Sequence, residues 1–206
     1  MAATLTPTSN YVDVGANIGD MLVHALAYAP EGRHIAVEPL PELCDELRRR
    51  HRTVDVHNLA LSNAQGETEF TRVCDAEALS GFLRPDLGTS FKTERLTVRT
   101  ARLDDVLPPD YVPHFVKIDV EGAEVQVLEG AFETLRRHKP VVAFEHGHGA
   151  ALYGKSSADV YALLSDGAGL AIFDMDGNGP FDSDQFRRTA APEGPRWNFF
   201  ARCLRE

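Results

Sequence analysis

The sequence predicts an α/β fold in which a mostly parallel sheet carries helices on both faces. Three observations predict it. Short runs rich in Val, Ile and Phe alternate with stretches of helical periodicity along most of the chain, the pattern of strands joined by helical crossovers. Those runs are mostly apolar throughout rather than alternating, as strands buried on both faces are. The chain has 206 residues, 43% of them hydrophobic, enough for one sizeable core in a single domain.

The elements follow in order. Tyr11–Val14 is the first strand and ends at Gly15. Ile18, Met21, Leu22, Ala25 and Leu26 then recur at helical spacing until Pro30 stops the helix. His34–Val37 is the second strand. Leu40, Leu43, Cys44 and Leu47 mark one face of the next helix, with Pro41 in its first turn, where a missing amide costs little. The basic run Arg48 to Arg52 closes that helix as a solvated end that suits its dipole. Val54–His57 is the third strand.

Residues 63–102 read as an insertion between the third and fourth core strands. Glu67–Val73 and Leu96–Thr100 have strand character, as in a β-hairpin, and Ser80 to Ser90 is a loop containing Gly and Ser. The short helix Leu103–Leu107 follows. Phe115–Val120 resumes the buried-strand pattern, and Val125, Leu128, Phe132 and Leu135 place one helix before Pro140. Val141–Phe144 is a further strand. Ser157 is expected to cap a helix carrying Val160, Leu163 and Leu164 that ends at Gly167. Leu170–Phe173 and Trp197–Ala201 are the last two strands.

Charge and cysteine usage exclude several function classes. Lys and Arg total 21 against 31 Asp and Glu, a net charge of -10. Such a surface repels phosphate backbones, so no nucleic-acid partner is expected. Cys44, Cys74 and Cys203 form neither a Cys-x-x-Cys pair nor a disulfide framework, which fits a reduced, cytoplasmic compartment. Met1 to Asn10 lacks a signal-peptide pattern, and no apolar stretch approaches the ~20 residues of a membrane span.

Ligands of open α/β sheets bind at the carboxyl ends of the strands. The first such end is Asp13-Val-Gly-Ala-Asn-Ile-Gly19. Gly15 and Gly19 permit a tight turn and a close ligand approach, and amides at the following helix start favour an anionic group. The spacing is Gly-x-x-x-Gly, not the Gly-x-Gly-x-x-Gly of dinucleotide sites. It suits the amino-acid end of a nucleoside ligand, whose ammonium Asp13 is expected to accept directly or through water. Glu38, followed by Pro39, ends the second strand 19 positions after Gly19, where an acid accepts ribose hydroxyls. Asn58, after the third strand, either faces the adenine edge or is a loop Asn. Asp119, Glu121 and Glu124 crowd the end of the strand Phe115–Val120. A carboxylate at Asp119 is costly unless it serves a ligand, whereas Glu124 reads as a helix-start acid favoured by the dipole.

These residues make the chain resemble the FkbM family of S-adenosylmethionine-dependent methyltransferases. The matching segments are Val12-Asp-Val-Gly-Ala-Asn-Ile-Gly19, Val37-Glu-Pro39, Asn58-Leu-Ala-Leu-Ser62, Leu103-Asp-Asp-Val-Leu107, Val116-Lys-Ile-Asp-Val-Glu-Gly-Ala-Glu124 with Leu128-Glu-Gly130, and Phe144-Glu145. Trp197-Asn-Phe-Phe-Ala201 is similar to the family's closing strand. The resemblance implies a Rossmann-like class I methyltransferase fold with seven strands, the last antiparallel. It implies that Asp13, Gly15, Asn17 and Gly19 hold the methionine end of S-adenosylmethionine, that Glu38 holds the ribose, that Asn58 lies on the adenine side, and that Asp119 lies beside the methyl sulfonium, with Ala16 and Pro39 also among the cofactor-binding residues. Most members are thought to methylate oxygen on sugars, polyketides or related small molecules. The insertion and the C-terminal end are left to shape the acceptor site.

A hydroxyl acceptor is a poor nucleophile and calls for a general base. Glu121, Glu145 and His146 stand at strand ends and are candidates beside Asp119. Glu145, His146 and His148 with Asp119 also offer metal ligands, but His146 and His148 point to opposite sides of an extended segment, so no catalytic metal is expected. Asp174, Asp176, Asn178 and Gly179 match part of a calcium loop. Gln185 stands where its bidentate Glu belongs, so a polar turn is expected there. The expected activity is therefore methyl transfer from S-adenosylmethionine to a hydroxyl of a sugar, glycosylated or polyketide-type small molecule. An N-methyltransferase on the same fold, a nicotinamide-dependent reductase and a non-catalytic nucleotide-binding protein are the alternatives, and a homodimer is left open.

Overall fold

The computed structural model describes residues 1, 4–82, 91–147, 149–191 and 196–204. The chain runs through β1 (Tyr11–Val14), α1 (Asp20–Tyr28), β2 (His34–Glu38), α2 (Pro41–Arg50) and β3 (Val54–Asn58). It continues with β4 (Ala60–Leu61), β5 (Gly66–Val73), β6 (Thr93–Ala101) and α3 (Leu103–Val106). Then follow β7 (Phe115–Ile118), α4 (Glu124–Gly130), α5 (Phe132–His138), β8 (Val141–Glu145), α6 (Gly149–Leu152) and α7 (Ser157–Tyr161). The last elements are β9 (Ala171–Asp174), α8 (Ser183–Thr189) and β10 (Asn198–Arg202).

Seven strands form one sheet in the order β3-β2-β1-β7-β8-β10-β9. β1 is central, with Val14 paired in parallel register to Val37 on one side and Ile118 on the other. β10 runs antiparallel to both of its neighbours, β8 and β9. The expected mostly parallel seven-stranded sheet with an antiparallel last strand is what forms. Strand alternation sends Val12, Val14, Val116, Ile118 and Phe144 into one core with α4, α5, α7 and α8. Tyr11, Ala36 and Phe115 point the other way, onto Leu22 and Ala25 of α1 and Cys44 and Leu47 of α2. This second face also receives Asp13, Glu38, Lys117 and Glu145, because each lies an even number of residues from an apolar member of that face.

β5 and β6 pair antiparallel over nearly their whole length, and β4, which precedes residues 63–102, pairs with β6, giving a separate three-stranded sheet that begins just ahead of the expected insertion. Most of the expected 80–90 loop lies outside the described residues. Phe70 and Val98 of this sheet pack on Leu40, Leu43 and Ala60 in a third small core.

Several expectations need correction. The helix expected through Val125 and Leu135 is two helices, α4 and α5, separated at Ala131. Its apolar spacing runs unbroken across the joint, so periodicity hides it. Strand β7 stops at Ile118, leaving Asp119 and Val120 beyond the sheet. Ser156, not Ser157, caps α7, its amide and hydroxyl both donating to the Asp159 carboxylate at 2.8 and 2.7 Å. α7 then widens into a π-helical stretch, Ala162–Gly167. The calcium-like segment is a turn: Asp174 Oδ1 accepts from the amides of Asp176 and Asn178 at 3.0 and 2.9 Å. Asp182 caps α8, its carboxylate accepting from the Gln185 amide while the Gln185 side-chain oxygen accepts from the Asp182 amide. No described helix is long and apolar enough to cross a membrane.

Candidate active site

The carboxyl ends of β2, β1, β7 and β8 open into a cleft of about 400 Å³, a size suited to a small-molecule ligand. The turn after β1 forms its floor. Gly15 sits at φ 72°, and a Cβ there would lie 2.0 Å from the Asp119 carbonyl oxygen. No other residue fits, because the turn and the end of β7 touch backbone to backbone. The amides of Gly15 and Ala16 donate to the Val37 carbonyl at 3.0 and 3.2 Å, fixing the turn to β2. Asn17 takes a left-handed φ of 49°, and its amide donates to Glu38 Oε2 at 2.9 Å.

Glu38 also accepts from the Leu40 amide, at Oε1, at 3.0 Å. The carboxylate is thus a brace between two turns as well as a cleft wall. Burial pushes its carboxyl up to about 7, against the opposing pull of those two amides.

Asp13 does not face the cleft as expected. It is fully buried, and its partner is the Lys117 ammonium at 3.3 Å from Oδ1. Lys117 in turn donates to the Gly15 carbonyl at 2.7 Å and approaches Asp119 Oδ2 at 3.5 Å. Burial raises the Asp13 carboxyl from its ordinary value, with Lys117 opposing, while Asp13 and Asp119 raise Lys117 against its own burial. A physical reason explains the correction: β1 is buried on both faces, so its end residue meets a neighbouring strand's side chain before it meets a ligand. Lys117, which also lines the cleft, is a site residue that sequence reasoning passed over, although it opens the Lys-Ile-Asp-Val-Glu-Gly segment.

At the other end of the cleft Asp119, Glu121 and Glu145 each bring a carboxylate oxygen within 4.8 Å of the others. The Asp119 amide donates to the Val14 carbonyl at 3.2 Å, and Glu121 adopts φ 58° to turn back over the cleft. Glu124 holds that turn: buried, it accepts from the amides of Val120 and Gly122 at 3.2 and 3.0 Å. Burial, then the charges of Asp119 and Glu121, push the Glu145 carboxyl up to about 7. The same three oxygens are the set among the described residues that could hold a cation.

His146 does not reach the cleft, which corrects its place among the candidate bases. One residue beyond Glu145, it points to the opposite sheet face. There its ring stacks on Phe186 at 5.7 Å, with Nε2 3.0 Å from the Ser157 hydroxyl. Burial lowers it to about 4. His148 lies outside the described residues.

The structure therefore gathers Gly15, Ala16, Asn17, Glu38, Pro39, Asp119, Glu121 and Glu145 on one cleft. Gly19 acts from outside the cleft wall, since a Cβ there would come within 2.7 Å of Leu47 where α1 meets α2. Asn58 is spent on structure, its amide donating to the Glu38 and Pro39 carbonyls at 3.1 and 2.9 Å. Leu59, Phe70 and Phe82 form the cleft wall beyond Glu38, and Ile18 and Met21, half-exposed on the α1 side, join the lining.

The family model of the methyltransferase FkbM domain matches residues 13–168, a span that includes every cleft residue named above. The chain belongs to the FkbM methyltransferase family. A hexuronic acid methyltransferase, AglP, of Haloferax volcanii is 30% identical over 160 residues, covering 75% of this chain and 60% of that protein. Among solved structures, a methyltransferase FkbM from Methylobacillus flagellatus superposes with a TM-score of 0.58 at 20% identity, over 96% of this chain and 44% of that one. A precorrin-6y C5,15-methyltransferase from Geobacter metallireducens does so with 0.51 at 16% identity, over 97% and 82%. The chain thus spans less than two thirds of AglP and of the Methylobacillus protein. The two structures agree with this FkbM chain in fold, an α/β architecture built on a mostly parallel sheet.

Proposed function

We propose that this FkbM protein transfers a methyl group from S-adenosylmethionine to a hydroxyl of a sugar or a related glycosylated or polyketide-type small molecule. The observation that carries the reading is the Glu145 carboxyl, poised near 7 within 4.8 Å of Asp119 and Glu121. Three acids gathered at a strand end, one of them raised towards neutrality, suit a group that accepts a proton from the acceptor.

The cleft's chemistry fits the cofactor. Its volume, its backbone-lined floor at Gly15 and its acidic lining suit a cationic nucleoside with an amino-acid tail. When bound, S-adenosylmethionine supplies a methyl group on a sulfonium that leaves without needing protonation. The protein's share is to bind, orient and accept a proton. The Gly15–Asn17 turn, tied to Asp13 through Lys117, receives the amino-acid end. Glu38 keeps lone pairs beyond its two amide bonds, and these accept the ribose hydroxyls. Asp119 lies between the two halves, where its charge favours the sulfonium over neutral competitors. Glu145 takes the acceptor's hydroxyl proton as the oxygen attacks, and Asp119 and Glu121 sustain its basicity.

AglP's name supports a sugar acceptor, and the three cysteines, all free, support a reducing cytoplasm. The test is a labelled-methyl screen over neutral sugars, uronic acids and glycosylated metabolites, with Glu145→Gln beside the wild type. Methyl transfer that falls at least about a hundredfold in Glu145→Gln supports the reading, in line with the usual worth of a general base. Transfer at the wild-type rate refutes the base, and no S-adenosylmethionine binding at all refutes the whole assignment.

A further inference from the structure

Phe70 and Phe82 of the insertion reach the cleft, so the insertion lines the same pocket as the strand ends. Along the carboxyl edge of the sheet the cleft residues run Glu145, Asp119, Gly15, Glu38 and then Leu59, because the strand order is β8, β7, β1, β2, β3. The acid cluster stands at one end. Phe70 and Phe82 join the lining from the insertion and pack with Leu40 and Leu43, the first turn of α2 just after Glu38 and Pro39. Their place is therefore the end remote from Glu145.

Phe82 is held there by more than packing. Gly81 exchanges two backbone bonds with Thr71, at 2.8 and 3.1 Å, and the Ser80 hydroxyl accepts from the Val73 amide at 3.0 Å. The Ser80-Gly81 pair is the sequence feature that clips the segment to β5. The Phe82 ring meets the buried Phe70 ring edge to face, 5.9 Å apart at 87°. An Arg72–Glu42 ion pair at 3.3 Å fastens the hairpin to α2. Phe82 itself remains half-buried, with part of its ring turned to the cleft.

We propose that Phe82, backed by Phe70, is the aromatic wall on which the purine of the cofactor stacks, so that the insertion completes the nucleoside half of the cleft. This rests on the cofactor reading above, in which Glu38 takes the ribose. A fixed ring beside the ribose-binding acid offers the π-face a base needs, and such stacking contributes roughly tenfold to a hundredfold in affinity per base.

Calorimetry with S-adenosylhomocysteine tests it on the wild type, Phe82→Ala and Phe82→Tyr. The expected result is a ten- to hundredfold weaker Kd in Phe82→Ala, regained in Phe82→Tyr, with the same relative loss for adenosine alone. An unchanged Kd in folded Phe82→Ala overturns the inference and leaves the cofactor reading standing. Failure of the wild type to bind overturns both. A second variant guards against misfolding. The chain has one tryptophan, Trp197, so Phe82→Trp with Trp197→Phe carries its sole indole at the proposed wall. Its emission is expected to change with S-adenosylhomocysteine or adenosine and not with homocysteine. An indole indifferent to both nucleosides overturns the proposal.

Discussion

Lys117→Met removes the cation that pairs with Asp13, and the structure sets the size of the effect. Asp13 is fully buried and the ammonium lies 3.3 Å from it, with only 15% of the Lys117 side chain exposed. At that distance the pair attracts with about 5 kcal/mol for an effective dielectric near 20. Breaking a buried pair by deleting one partner costs about 3–5 kcal/mol. Loss of the bond to the Gly15 carbonyl adds about 1 kcal/mol, and protonation of Asp13 caps the total. We expect a net loss of about 3–4 kcal/mol at pH 7, read from urea denaturation. The pH dependence has a definite sign. Burial already raises the Asp13 carboxyl in the folded state, and removing Lys117 raises it further. A group whose folded value lies above its unfolded value takes up a proton more readily when folded, so stability falls as pH rises through that interval. The deficit of Lys117→Met against the wild type therefore shrinks from pH 7 towards pH 4. Adding Asp13→Asn is expected to recover at least half of it. A deficit under about 1 kcal/mol, or one independent of pH and of Asp13→Asn, would refute the reasoning.

Four further outcomes follow from the site and its surroundings. Glu145 must be deprotonated to act as a base and its carboxyl is pushed up to about 7, so the rate rises with pH through about 7. Glu145→Gln removes that rising limb, and a profile unchanged in shape counts against the assignment. His146→Phe is expected to keep wild-type turnover, because the ring lies on Phe186 rather than on the cleft; a loss beyond tenfold returns His146 to the mechanism. The same variant flattens acid unfolding. A buried imidazole lowered to about 4 makes the wild type lose up to about 3 kcal/mol between pH 6.5 and 4, where the unfolded chain binds the proton first. Dialysis against EDTA leaves turnover unchanged if the three carboxylates handle a proton, whereas loss restored by magnesium or manganese assigns them to a metal.

Much of the fold was legible because a parallel sheet buries its strands on both faces, and that writes continuous apolar runs between helical stretches. The same property hid the site's inner arrangement. When both faces are buried, nothing in Val141–Glu145 says which face holds the cleft, so Glu145 and His146 read alike and only one of them reaches it. Asp13 failed for the same reason, since its partner Lys117 sits one strand away and 104 positions along the chain. Glu38, Gly15 and Asp119 were legible because a turn chemistry or a strand end fixes their place without knowledge of the face. α8 buries little beyond Phe186, so its apolar signal is faint. Its Asp182–Gln185 capping box was present in the sequence, but Gln185 drew notice only as a missing calcium ligand.

The order of strands also sets a timetable. β9 pairs with β10 alone, and β10 lies between it and β8. During synthesis β9 is finished at Asp174, yet it has no strand to join until Asn198 to Arg202 have been made. Until then the edge of β8 stands open with its apolar run Val141 to Phe144 unpaired. Such an edge recruits foreign strands, so any part of the sheet assembled before Asn198 to Arg202 are made is unsealed on that side. The closing strand works as a late stopper, and chains shortened before Asn198 are expected to aggregate more readily than the full chain.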